Sequence, residues 1–144
     1  MGIELPEPSA PLAAYVGHVV HAGTVTVSGQ LPLRDGQPAY RGVLGENVTI
    51  EEGYDAARLC AIGVLAQLRV AVGGDWERLE RAIRLGGFVA ATPSFEAHPK
   101  VINGASELIA AVLGERGAHA RAAVGVASLP LGVPVEVEAT FALR

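Results

Sequence analysis

The sequence predicts an α+β fold in which two helices pack on one face of a mixed β-sheet. Three observations carry that expectation. Period-two alternation of apolar and polar residues recurs in short runs, helical spacing recurs in two longer ones, and Gly or Pro punctuates the junctions. The resulting order is strand, strand, helix, strand, helix, strand, strand. A helix between the third and fourth strands implies a right-handed crossover, and hence a mixed sheet covered on one side. With 144 residues the chain forms a single domain, 1–144, long enough to bury a real core.

Met1 to Leu12 contains three prolines and reads as an irregular or extended lead-in. Tyr15 to His21 is expected to be the first strand, Ala22-Gly23 a turn, and Thr24 to Ser28 the second strand. Val25 and Val27 share one of its faces, and Thr24, Thr26 and Ser28 the other. Leu33 to Asn47 carries Gly36, Pro38, Gly42 and Gly45 and reads as a long loop. Thr49-Ile50-Glu51-Glu52 fits a capping box, and Tyr54, Ala57, Ala61, Val64, Leu68 and Ala71 follow at helical spacing until Gly73-Gly74.

Asp75 to Leu79 reads as a short capped turn with Trp76 over the helix end. Ala82 to Ala90 is expected as the third strand, with Ile83, Leu85 and Val89 opposite Arg84, Gly86 and Phe88. Thr92-Pro93 breaks it, and Pro99 suits the first turn of a second helix running to about Leu113. Val101, Ala105, Leu108, Ile109 and Val112 form its inward stripe, and Gly114 and Gly117 end it.

The last quarter, His119 to Arg144, holds two alternating runs around Leu129-Pro130-Leu131-Gly132-Val133-Pro134, which reads as a hairpin reversal. Val135, Val137, Ala139, Phe141 and Leu143 share one face, and Glu136, Glu138 and Thr140 the other. In the first run Arg121, Ala123, Gly125 and Ala127 alternate with Ala122, Val124, Val126 and Ser128. With the Val side inward, Arg121 and both glutamates point away from the core. On spacing alone a solvated outer face explains those charges as simply as an ion-binding site does. The uncovered sheet face, carrying Ser28, Phe88, Ala123, Gly125 and Glu136, is too apolar for solvent and implies cover by other subunits.

Composition narrows the function. Half the residues are hydrophobic, and the formal charge is -4 with a pI near 5.5, so no general affinity for nucleic acid is expected. No apolar run approaches the roughly 20 residues of a membrane helix, and no secretory leader is evident. A soluble, cytoplasmic protein is expected, with a mean hydropathy high enough to suggest a buried subunit interface.

Among its four histidines, His18 and His21 face opposite ways on a strand, and His98 and His119 lie in different elements, a poor basis for a metal site. Cys60, the single cysteine, sits in an apolar helical stripe and reads as a packing residue. No Walker loop, dinucleotide fingerprint or Ser, His and Asp arrangement can be assembled.

The run Ala120-Arg121-Ala122-Ala123-Val124-Gly125-Val126, then Leu129-Pro130, then Val135-Glu136-Val137-Glu138-Ala139, closely resembles the C-terminal signature of the YjgF/RidA family, the reactive intermediate deaminases once called L-PSP endoribonucleases. Val27-Ser28-Gly29-Gln30-Leu31-Pro32 resembles that family's N-terminal signature, and the similarity spans nearly the whole chain. The resemblance implies a chorismate-mutase-like fold assembled as a homotrimer, with sites at the subunit clefts. It also implies hydrolysis of reactive enamines or imines of small amino acids to 2-keto acids and ammonia, without a metal or organic cofactor.

Carried over by position, it assigns Arg121 to the substrate carboxylate and Glu136 to the attacking water, consistent with the bidentate reach of a guanidinium and the proton capacity of a carboxylate. Tyr15, Ser28 and Gly29 fall in the pocket wall, and Phe88 and Asn103 at further matching positions. Each has a structural alternative: a salt bridge for Arg121, interface packing for Tyr15 and Phe88, a strand hydroxyl for Ser28, a helix-start hydrogen bond for Asn103. The chain departs from the family pattern at Ala13-Ala14, where Gly-Pro is usual, at His119, where proline is usual, and at Ala122-Ala123. These changes bear on substrate choice more than on fold. A non-enzymatic small-carboxylate-binding or regulatory protein on the same trimer is the alternative function.

Overall fold

The computed structural model describes residues 2–144, so Met1 lies outside the described residues. A five-stranded sheet is covered on one face by two helices, α1 (Ile50–Ala71) and α2 (His98–Leu113). Its strands are β1 (His18–His21), β2 (Thr24–Gln30), β5 (Leu79–Ala90), β6 (Ala120–Val126) and β7 (Val135–Leu143). They lie in the order β1-β2-β7-β5-β6, antiparallel throughout except for β5 and β6. The expected fold class stands. No helix among the described residues is long and apolar enough to cross a membrane.

The helices form where local chemistry specifies them. The Thr49 hydroxyl accepts from the Glu52 amide at 3.1 Å, and the Glu52 carboxylate accepts from the Thr49 amide at 3.0 Å, closing the capping box of α1. Ala57, Ala61, Val64 and Leu68 are fully buried against the sheet. Gly73 and Gly74 stop the helix at positive φ, a backbone state that costs glycine little. Asp75 caps the 3-10 turn Trp76–Arg78. In α2 the buried residues are Val101, Ile102, Gly104, Ala105, Leu108, Ile109 and Leu113, whereas Val112, expected inside, is exposed, its place at the end of the stripe taken by Leu113.

Four strand readings need correction. The last two runs do not form a hairpin: β7 is inserted antiparallel between β2 and β5, and β6 pairs parallel with the other side of β5. The segment between them, residues 127–134, passes over the end of β5, where the amides of Ala90 and of Ala91 just beyond it donate to Pro134 O and Val126 O at 2.9 and 3.1 Å. Spanning two strand spacings of about 4.8 Å each needs such a link, whereas a tight hairpin does not. Consequently Arg121, Ala123 and Gly125 face α2, and Val124 lies 46% exposed on the open face. Ala123 and Gly125 therefore do not belong to the uncovered sheet face.

In β5 a register shift between Ala82 and Arg84 turns Ile83 out of the core, where it is 41% exposed, while Ala82 takes the buried place opposite Phe141. The first strand starts only at His18, because Tyr15 to Gly17 leave the ladder. The loop from Leu33 to Asn47 contains a small hairpin, β3 (Leu33–Arg34) and β4 (Gln37–Pro38), around Asp35-Gly36, both at positive φ.

Close approach between α1 and α2 depends on Gly104, where a Cβ would lie 2.0 Å from the Tyr54 carbonyl oxygen. Backbone cannot retreat as a side-chain tip can. Gly104→Ala should therefore cost about 2–3 kcal/mol despite alanine's better helix propensity. Urea unfolding of the two proteins measures it.

Candidate active site

The residues singled out by sequence fall into two groups on opposite faces of the sheet. Tyr15, Ser28, Gly29 and Glu136 come together in a cavity of about 490 Å³ on the open face. Phe88 pairs with Glu136 across β5 and β7 and shares that face. Arg121 and Asn103 meet on the helix face, at the sheet edge formed by β6. Within one chain, then, Arg121 and Glu136 point to different sides of the same sheet.

The cavity is built by strand ends and the N-terminal lead-in. Gly17 O accepts from the Ser28 amide at 2.9 Å, and Val16 O accepts from the Ser28 hydroxyl at 2.7 Å, so the chain around Tyr15 is drawn alongside β2. Pro6, Ser9, Ala10, Pro11 and Leu12 form the opposite wall, closed by Leu31, Leu33 and Leu131. Arg69 of α1 holds that lead-in by donating to Leu5 O at 3.3 Å and Pro6 O at 3.1 Å. The proline-rich start thus has a defined place that its composition alone did not reveal.

Gly29 leaves room for the Glu136 carboxylate, since a Cβ there would fall 2.3 Å from Glu136 Oε2. A side chain at that position would displace the carboxylate from the cavity. Burial, and then the like charge of Glu138 on the same face, raise the pKa of Glu136 above the ordinary glutamate value. Glu7, Asp35 and Glu136 are the ionisable carboxylates of the lining, which contains no Lys, Arg or His among the described residues.

Arg121 is held by three acceptors from α2. Its Nη1 donates to Asn103 Oδ1 at 2.9 Å and to Ser106 Oγ at 3.1 Å, and its Nη2 donates to Pro99 O at 3.1 Å. All three acceptors are neutral, and no ion pair among the described residues includes Arg121. Within the chain, neutral acceptors take the place that a salt bridge would occupy. A guanidinium has five N–H donors. With both Nη1 protons and one Nη2 proton engaged, Nε–H and one Nη2 proton have no partner among the described residues.

Ser106 beside Arg121 has no signal of its own in the sequence, and Pro99 and His119 are legible there only as a helix start and as a departure from the family pattern. Asn103 and Ser106 lie three residues apart on α2, the spacing that would have signalled a shared face. Cys60 is fully buried, with burial pushing its thiol pKa up, which fits a packing role. His18 hydrogen-bonds Gln67 Oε1 at 2.8 Å, and His98 lies over Gly125, so these two rings serve helix–sheet contacts.

A two-helix layer on a mixed sheet of this order, with these two groups, defines a YjgF/chorismate-mutase-like protein. The chain belongs to the YjgF/RidA family: the family model for YjgF/chorismate mutase-like proteins, provisionally called endoribonucleases, matches residues 1–139. Protein TCP17 of Trypanosoma cruzi is 46% identical, over 100% of this chain and 90% of that protein. Among solved structures, protein Atu1372 of unknown function from Agrobacterium tumefaciens is 45% identical, with a TM-score of 0.93 over 99% of this chain and 87% of that one. A Shewanella oneidensis protein, provisionally described as an endoribonuclease, is 35% identical, with a TM-score of 0.94 over 99% and 93% of the two chains. RidA from an Antarctic Psychrobacter is more distant, at 26% identity and a TM-score of 0.62 over 94% of each chain.

The raised pKa of Glu136 has a thermodynamic consequence. The folded chain binds this proton more tightly than the unfolded chain, so stability falls as pH rises from the ordinary glutamate range through the raised value. Glu136→Gln removes that loss. In the isolated chain, with no neighbouring subunit's arginine beside the carboxylate, its melting temperature should exceed the wild type's at neutral pH, with the gain vanishing by about pH 4. Thermal unfolding across pH measures both.

Proposed function

We propose that the protein is a homotrimeric deaminase that hydrolyses reactive enamines or imines of amino acids to 2-keto acids and ammonia. The observation that carries this reading is a pair of complementary groups: an arginine with no carboxylate partner among the described residues and two N–H donors to spare, and a glutamate with raised proton affinity lining a cavity. Family membership supports it. Because Arg121 and Glu136 lie on opposite faces of one sheet, a site using both takes Arg121 from one subunit and Glu136 from its neighbour.

In this mechanism the Arg121 fork grips the substrate carboxylate and fixes the adjacent C=N carbon. Glu136 holds a water and takes its proton as the oxygen attacks that carbon. Glu136 passes that proton to nitrogen, giving a carbinolamine; the hydroxyl proton then moves to nitrogen by the same carboxylate as the C–N bond breaks, so ammonia leaves and a C=O replaces the C=N. A substrate arriving as an enamine first tautomerises to the imine. Gly29 gives Glu136 space, and Tyr15 and Ser28 wall the pocket. Asn103 orients Arg121, while Phe88 provides an apolar surface beside Glu136. No metal or cofactor is required by these steps.

The cavity wall of Pro11, Leu12, Leu31 and Leu131 is apolar and leaves space beyond a three-carbon imino acid. Imines with longer apolar side chains should be better substrates. The formal charge of -4 and the absence of clustered Lys and Arg give no general affinity for polyanions, which disfavours RNA cleavage.

Hydrolysis of freshly generated imino acids, with semicarbazide competing for the intermediate, tests the reading. Arg121→Ala and Glu136→Gln should each lose more than about 100-fold in kcat/KM. Mixed trimers of the two variants should regain about a quarter of wild-type activity, since random assembly pairs an intact Arg121 with an intact Glu136 at that frequency. No hydrolysis by the folded wild-type trimer, with 2-oxo acids still bound, would instead favour a carboxylate-binding protein.

A further inference from the structure

We infer that His119 and Ser106 form a positioning relay that holds Arg121 ready for a carboxylate, an inference that rests on the deaminase reading of that arginine. Pro99, Asn103 and Ser106 supply acceptors from successive turns along one face of α2. Asn103 and Pro99 act through groups with fixed acceptor character. Ser106 differs, because a hydroxyl can turn, and its lone pair meets Arg121 only when its own proton is directed elsewhere.

His119 directs it. The His119 Nδ1 lies 2.6 Å from Gly117 O, and a carbonyl oxygen can only accept, so Nδ1 carries the proton. In the neutral ring Nε2 is then an acceptor, and it lies 2.8 Å from Ser106 Oγ. The Ser106 hydroxyl donates to it and leaves its lone pair to Arg121 Nη1 at 3.1 Å. From Arg121 through Ser106 and His119 to Gly117, each donor points the same way, so each bond polarises the next.

Without the imidazole, a helical serine can turn toward the carbonyl four residues back, which here is Ile102. Where the side chain swings about χ1 to reach that carbonyl, Oγ moves away from Arg121 Nη1, which withdraws one of three anchors from the guanidinium. His119 stands where the sequence signature of the family usually has proline, which could neither accept the serine proton nor donate to Gly117. Ser106 and His119 do not touch the site of reaction. They act through Arg121, so their loss should weaken substrate capture more than turnover.

Steady-state kinetics on an imino acid would compare wild type, Arg121→Ala, Ser106→Ala, His119→Leu and His119→Gln, each checked for fold by circular dichroism. Glutamine can place an amide oxygen near the position of Nε2. Ser106→Ala and His119→Leu should raise KM about tenfold with kcat nearly unchanged, and His119→Gln should recover most of the loss. Unchanged KM in Ser106→Ala and His119→Leu, with activity lost in Arg121→Ala, would overturn the relay and leave the deaminase reading standing. If wild type hydrolyses no imine, that reading fails by itself, and calorimetric titration with 2-oxobutanoate carries the comparison. Affinity about tenfold weaker in His119→Leu and restored in His119→Gln would support the relay, whereas equal affinities, or no binding by wild type, would overturn it.

Discussion

The position of β7 between β2 and β5 is the constraint on which the rest of the architecture depends, because it buries Val135, Val137, Ala139 and Phe141 at the centre of the core. Alternation then carries Glu136 and Glu138 to the open face of the sheet's middle strand. The same placement leaves β6 only the far side of β5, where it pairs in parallel. A parallel partner needs a crossover, and α2 provides it, lying across the inner face of β6. Arg121 therefore meets α2. Both candidate chemical groups owe their surroundings to one choice of strand order.

Each group is held in a way that leaves it unneutralised. Arg121 is bonded to an amide oxygen, a hydroxyl and a carbonyl, which fix its orientation without cancelling its charge. Glu136 sits half-buried beside Glu138, a position that works against its ionisation. Neither arrangement is what stability alone would select, since partly buried charges favour opposite partners. Local departures of this kind are expected where a site must receive a ligand rather than complete the core.

Small residues make these surroundings possible. Gly104 lets α1 and α2 approach, Gly87 lies under Ile102, and Gly125 lies under His98, so α2 can settle close to β5 and β6. That depth brings Pro99, Asn103 and Ser106 within reach of Arg121. On the other face Gly29 performs the corresponding service for the Glu136 carboxylate.

Legibility followed the range of the interactions involved. The capping box at Thr49, the glycine stop at Gly73-Gly74 and the proline start of α2 act over a few residues, and both helices could be read with their ends. Alternation likewise assigned the faces of β2 and β7. It failed at Ile83, where a bulge shifts the phase, and at Arg121, whose inward face depends on which strand β6 joins. The two prolines after Leu129 looked like a hairpin because a reversal and a crossing over β5 share the same local chemistry.

Residue types and their order thus determined the α+β class, the two helices, the family and the identity of the groups able to do chemistry. Tertiary structure alone decided that Arg121 and Glu136 occupy opposite faces, that the lead-in walls the cavity, and that Ser106 and His119 stand behind the arginine. The reason is physical: capping and periodicity are local, whereas strand partnership and register join segments far apart in sequence, and a one-residue slip in register reverses which side of the sheet a residue faces.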